Sequence, residues 1–271
     1  MMEWMKLSER RLWLTIDSDD IRHLPRYQGH PLRSRHPLPM DCTKSDPSPK
    51  LKIGMEGFSR WFAEAGEVTL FLIADQLDSV DFKNWLKPML DTGRLRIASH
   101  GNTHRSWAAW PEDVEGFTAE LQIATKRLKE FSGEAWRPWF RAPAGYIAPW
   151  MAQVLSKLGY VVDSSVNPSA LLKRKTGHGN NWNKVVAAMK NNGLVERQWL
   201  TKKVLGLSLP SCGPALHKTF LKSISRRQWL SQSSLEHATD SDIEDSDAEI
   251  VTVYWHLLDH ARNSGKWLPP L

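Results

Sequence analysis

Two imidazoles four residues apart, His100 and His104, follow the short apolar run Leu95-Arg96-Ile97-Ala98. At that spacing both rings lie on one face of a helical turn, close enough to bind one metal ion. Upstream, Leu12-Trp13-Leu14-Thr15-Ile16 reads as a strand ending in Asp17-Ser18-Asp19-Asp20. Residues i and i+2 of a strand point the same way, so Asp17 and Asp19 emerge together from its end. Three more strand-like runs end in polar residues: Trp139-Phe140-Arg141, Tyr160-Val161-Val162-Asp163 and Ile250-Val251-Thr252-Val253-Tyr254-Trp255-His256. Two imidazoles and one carboxylate make a three-ligand set for a catalytic metal with positions open to water and substrate. One carboxylate and one His remain for general base and general acid, and an Arg can hold the base ionised. Together these are the parts for metal-assisted hydrolysis of an amide or ester. Taken singly, each has an ordinary structural reading. The aspartates after Ile16 could be an acidic loop or a cap, Arg141 an ion pair, Asp163 a cap and His256 a satisfied core histidine.

The elements that must position these groups alternate. Val68–Ile73 is a continuous apolar run typical of a buried parallel strand. Helices are predicted over Phe58–Ala65, Asp81–Leu90 with Gly93 after it, Glu112–Phe131 and Ala148–Leu158. The alternation of strand, polar strand end and helix predicts a mostly parallel sheet with helices outside. In such a barrel, polar groups at the C-terminal strand ends are where chemistry sits. Residues 23–50, with several Pro and with His30 and His36, read as a long loop that acts as a lid or binding wall. Residues 167–248 are less regular: 167–183 is loop-like, 185–189 helical and 195–200 a strand. Asp240-Ser241-Asp242-Ile243-Glu244-Asp245-Ser246-Asp247 lacks the Gly and terminal carboxylate of a calcium loop and reads as a solvated loop. His260, just beyond the last strand, is expected at the surface.

Composition bounds the remaining classes. A chain of 271 residues with 41% hydrophobic and 24% charged residues is ordinary for one globular domain spanning 1–271. The 14 Trp are unusual and read mainly as core. Two Cys without a CxxC exclude a disulfide framework and a thiolate zinc site. No apolar run reaches membrane-spanning length. The start, Met1-Met2-Glu3-Trp4-Met5-Lys6, has no signal-peptide core, which sets a cytoplasmic expectation. The net charge of +6 favours anionic partners such as nucleic acid, acidic glycans or membrane headgroups, but with no polybasic run it reads as scattered solvated charge, and no nucleic-acid partner is expected.

From about Leu12 to about Asp259 the chain resembles the polysaccharide deacetylases of the NodB-homology type, carbohydrate esterase family 4. The motifs that carry the resemblance occur in family order. The first is Thr15-Ile16-Asp17-Ser18-Asp19, with one residue inserted between the two functional aspartates. The second is His100-Gly101-Asn102-Thr103-His104 and the third Arg141-Ala142-Pro143-Ala144-Gly145. The fourth keeps Asp163 but has Val166 where the family has Trp. The fifth is Tyr254-Trp255-His256, keeping the His of Leu-x-His but not the Leu.

The resemblance implies a distorted (β/α) barrel and a metal-dependent hydrolase that removes an N-acetyl or other N-acyl group from a sugar. It implies Asp19, His100 and His104 as ligands of one divalent ion, zinc first and cobalt, manganese or nickel as alternatives. Asp17 becomes the base, Arg141 its partner, His256 the acid and Asp163 the group that tunes it. Ala144, through its N–H, and Tyr146 are assigned to substrate. The expected substrate is an acylated amino sugar, lipid- or nucleotide-linked, in surface-polysaccharide or O-antigen assembly, with peripheral rather than spanning contact to a membrane. Two alternatives are an amidohydrolase of the same fold acting on a formamido sugar or small cyclic amide, and a catalytically silent glycan-binding barrel.

Overall fold

The structure, a computed structural model, describes residues 10–33 and 35–271; the Met1–Lys6 stretch read for a leader lies outside the described residues. The chain order is β1 (Arg11–Asp17), α1 (Pro49–Glu64), β2 (Val68–Leu72), α2 (Val80–Leu90), β3 (Leu95–Ser99), α3 (Val114–Ser132), β4 (Trp136–Phe140), α4 (Met151–Lys157), β5 (Val162–Asp163), α5 (Trp182–Asn191) and β6 (Val195–Glu196). There follow the hairpin β7 (Thr201–Val204) and β8 (Leu207–Pro210), α6 (Thr219–Leu230), α7 (Asp240–Glu244) and β9 (Ile250–His256). Helix α1 starts nine residues before the expected Phe58, because Ser48 caps the Leu51 N–H and Pro49 sits in the first turn.

Seven strands form one curled sheet in the order β6-β5-β4-β3-β2-β1-β9, every pairing parallel. Past the end of β6, Trp199 bridges to Thr252 of the other edge strand, β9, where the Leu200 N–H donates to the Thr252 carbonyl at 2.9 Å. The fold is therefore the distorted (β/α) barrel that the resemblance implied, closed at one seam by an irregular segment.

Period-two alternation sorts each strand into two columns. On β1, Leu12, Leu14 and Ile16 face the helices while Trp13 packs in the barrel interior with Phe71, Ala98, Trp139 and Val162. Thr15 and Asp17 continue that inner column upward. The same rule puts Thr252, Tyr254 and His256 of β9 inside and Val251, Val253 and Trp255 outside. All the inner columns rise to the C-terminal end of the barrel.

The opposite end is closed by the segment expected to be a solvated loop. Asp240–Glu244 is a short helix capped by Thr239, and Ile243 packs fully buried against the Trp13 and Trp139 cluster. The Arg197 guanidinium bonds to the carbonyls of Asp242, Ile243, Asp245 and Ala248, so it satisfies backbone groups that solvent was expected to serve. The Trp expectation holds: eight Trp are buried, and none of the described Trp is exposed.

Candidate active site

The register pairs Asp17 with His256, so the last inner residue of β9 stands beside the last of β1. Asp17, Asp19, His100, His104 and His256 line one cavity of about 380 Å³ at the C-terminal end of the barrel. That volume lies within the range for small-molecule sites.

Asp19, His100 and His104 are buried and offer ligand atoms within 4.8 Å of one another. Each imidazole bonds through Nδ1 to a main-chain carbonyl, His100 to Arg141 and His104 to His23, both at 2.8 Å. A carbonyl only accepts, so Nδ1 carries the proton and Nε2 presents a lone pair to the cavity. His104 Nε2 lies 2.8 Å from Asp19 Oδ1, and His100 Nε2 lies 3.6 Å from Oδ2. Two acceptors at such a distance repel unless a positive charge stands between them. His104 Nε2 and Asp19 Oδ2 have no hydrogen-bond partner, which is the pattern of a cation site. Burial works against the charged form of both groups, yet Asp19 raises the His104 pKa and the imidazoles lower that of Asp19, so the site favours positive charge. The donor set therefore fits a divalent ion.

Asp20 is occupied elsewhere: it caps the Ile21–His23 turn and accepts from the Ser48 N–H at 2.8 Å. Asp17 accepts from Arg141 Nη1 at 2.7 Å. The fully buried guanidinium also donates to Thr15 Oγ1 and to the Ser164 hydroxyl and carbonyl, each at 2.9 Å, and lies 4.0 Å over the Phe71 ring. Arg141 thus aims one carboxylate from a fixed frame.

His256 is half-buried. Its backbone N–H donates to Asp259 Oδ2 at 3.1 Å, and the same oxygen lies 3.5 Å from its Nδ1. Burial alone would lower its pKa, but the Asp259 bond, with the charges of Asp19 and Asp17, pushes it up to about 9. Asp259 also holds His217 Nε2 at 2.8 Å and Arg262 Nε at 3.1 Å.

This corrects the role expected of Asp163. Val162 faces the barrel interior, so Asp163 points outward and pairs in register with Phe140, a residue of the outer core. There it bonds Ser165, at 2.7 Å through the hydroxyl, and neighbours Glu196. Burial and Asp163 push the Glu196 carboxyl well above its usual range. The carboxylate beside His256 is Asp259.

His260 is also corrected. It is fully buried, accepts from the Trp255 indole N–H at 2.9 Å, and packs against Phe58, Trp61 and Trp267. Tyr146, expected at substrate, is buried behind the cavity wall edge-on to His30. His30 is itself a packing residue.

The Ala144 N–H has no hydrogen-bond partner among the described residues, and Ala144 lines the cavity with a φ of 51°. Its carbonyl accepts from Lys175 Nζ at 2.6 Å. Gly145, at φ 69°, lies so close to Trp199 that an added Cβ would come within 2.8 Å of the ring. Val166 is fully buried in the outer core and forms no part of the wall. Trp199 supplies the apolar wall instead, tied by its indole N–H to the Ser164 carbonyl at 2.8 Å and packed 4.3 Å from the Tyr254 ring. Trp199, Lys175, His217 and Asp259 were not assigned from the sequence. A Trp just past a strand at the barrel seam was the one available signal.

Residues 64–162 match the family profile described as polysaccharide deacetylase, which bears out the resemblance over the span holding His100, His104 and Arg141. A crystal structure of a putative polysaccharide deacetylase from Mycobacterium smegmatis superposes with a TM-score of 0.51 at 14% identity, covering 97% of this chain and 82% of that one. A 4-alpha-glucanotransferase from Thermococcus litoralis gives 0.47 at 12%, covering 96% and 35%. The chitin deacetylase of the fungal pathogen Colletotrichum lindemuthianum gives 0.42 at 10%, covering 94% and 76%. At these identities the first likeness is one of fold, and the other two are looser. A comparison with curated proteins found no match.

Proposed function

We propose that this chain, which matches polysaccharide deacetylases over residues 64–162, is as one domain of residues 1–271 a metal-dependent hydrolase that removes an N-acyl group from an amino sugar. One observation carries the reading. A cation-ready set of Asp19, His100 and His104, with two bare buried acceptor atoms, shares a cavity with an Arg-held carboxylate and an imidazole. Asp19, His100 and His104 would hold one divalent ion, zinc by its preference for nitrogen and oxygen donors, with cobalt, manganese or nickel also compatible. When bound, the ion would acidify water and polarise the acyl oxygen.

The chain's own groups do the rest. Asp17 takes a proton from the attacking water, and Arg141 keeps that carboxylate aimed. The Ala144 N–H donates to the oxyanion as the water oxygen bonds to the acyl carbon. His256, kept protonated by Asp259, delivers a proton to the amine nitrogen as the carbon–nitrogen bond breaks. Trp199 and Tyr254 cup the acyl group. The products are a free amino sugar and acetate or formate.

The substrate belongs to the same proposal. Arg26, Lys50, Lys175 and Arg262 line the cavity, which suits a sugar on an anionic nucleotide or lipid carrier. Surface-glycan precursors such as O-antigen units, assembled in the cytoplasm, have that chemistry. The test is acid release from acetylated and formylated amino-sugar conjugates by metal-loaded protein, with Asp17→Asn as the blank. Release by the wild type alone is expected. No release from any conjugate by metal-bound protein, or equal release by Asp17→Asn, would overturn the proposal.

A further inference from the structure

The stretch from Ser164 to Leu235 holds twelve Lys and Arg against one acid, Glu196, in a chain whose net charge is only +6. The rest of the chain is therefore net acidic, and the positive charge is gathered in one region. Three pieces of that region pack together: the Ala170–Thr176 turn, the β7–β8 hairpin and α6. They flank the mouth of the catalytic cavity. Lys175 of the turn lines it, and so do Pro214 and His217, which join the hairpin to α6.

What these pieces turn outward is both basic and apolar. Lys173, Arg174, Lys202, Lys203 and Lys218 are exposed. So are Leu171, Leu205, Leu207 and Phe220, at 63%, 99%, 58% and 70%. Leu205 is the most informative. It occupies the two-residue hairpin turn with Gly206, at a φ of 47°. That left-handed position favours Asn, Asp or Gly and is costly for a leucine. The side chain gains nothing from the fold in return, since it stands free of the protein surface.

We infer that this face seats on an anionic lipid surface, with Leu205, Leu207 and Phe220 entering below the headgroups and the lysines on the headgroup phosphates. A protruding apolar tip on a hairpin that also carries exposed lysines is the composition that such a surface selects. A nucleic acid or other polyanion would engage the lysines and leave the leucines in water. A second copy of the chain would bring two like-charged faces together. Seated this way, the cavity mouth opens at headgroup level. The inference does not depend on the reaction assigned to the cavity, because binding is read without turnover.

The test is co-sedimentation of the full chain with vesicles of phosphatidylcholine alone and of phosphatidylcholine containing phosphatidylglycerol. Binding to the mixed vesicles only is expected, weakening as salt rises. Lys202→Gln and Lys203→Gln should each lower partition roughly fivefold. Leu205→Asn, which the turn favours, should leave thermal stability intact and lower partition about tenfold. Failure to bind mixed vesicles would overturn the inference. So would binding unaffected by Leu205→Asn, retention on inorganic polyphosphate without vesicle binding, or a dimer that Leu205→Asn dissociates.

Discussion

Asp259→Asn is the sharpest perturbation of the site, because it removes a charge and almost no volume. Asp259 accepts the His256 N–H at 3.1 Å and lies 3.5 Å from its Nδ1. With this charge in place the His256 pKa stands at about 9, against the push of burial toward lower values. An opposite charge at that range moves a pKa by about 1–3 units, so the variant should bring His256 to about 7. The acid must be protonated to serve the leaving amine. The wild type should therefore lose activity only above about pH 9, and the variant above about pH 7. At pH 8 the protonated fraction falls about tenfold, and at pH 6 it scarcely changes. The assay is kcat/KM for amide hydrolysis across pH 5–10, which reports the free enzyme. The same pair carries a stability signature. Because His256 is raised in the folded state, its contribution is complete below its unfolded pKa of about 6.5 and is lost as pH rises through about 9. An alkaline limb that stays in place in Asp259→Asn would refute the pairing.

Other changes separate roles within the cavity. Asp17→Asn should keep the bound metal and the fold while lowering turnover by about 10²–10⁴. Arg141→Met should cost about 3–5 kcal/mol in a denaturant titration, because it strands a buried carboxylate. His256→Ala should abolish most amide hydrolysis yet spare an activated aryl acetate, whose leaving group needs no proton. His260→Ala should instead cost about 2–4 kcal/mol of stability with full activity per folded molecule; the reverse pattern would move the acid to His260. Gly145→Ala, with φ 69° and a Cβ contact of 2.8 Å to Trp199, should lower both melting temperature and turnover by shifting the Ala144 N–H.

The parts of this site that were legible in the sequence are those that strand alternation determines. Asp17, Arg141 and His256 sit where an inner column of a parallel strand reaches the barrel mouth, and apolar patterning marks those strands. The same rule, applied one residue further on β5, would have turned Asp163 outward; Val162 inside the barrel implies it. Asp259 and Trp199 were hidden for another reason. Asp259 reaches His256 three residues back across the strand end, a local turn that strand patterning does not show, and the partners of Trp199, Gly145 and Tyr254, are brought near only by closure of the barrel seam. Asp240–Glu244 looked solvated because its charges are obvious, whereas the single residue that buries it, Ile243, carries no periodic signal. The β7–β8 hairpin escaped because its turn is Leu-Gly rather than one of the dipeptides that announce a hairpin.

The central claim is a cation held by Asp19, His100 and His104 beside an Asp17 that does not ligate it. Elemental analysis of the purified, metal-loaded protein, run beside Asp19→Asn and Asp17→Asn, tests this directly. About one equivalent of divalent metal is expected in the wild type and in Asp17→Asn, and almost none in Asp19→Asn. Metal retained by Asp19→Asn and lost by Asp17→Asn would contradict it.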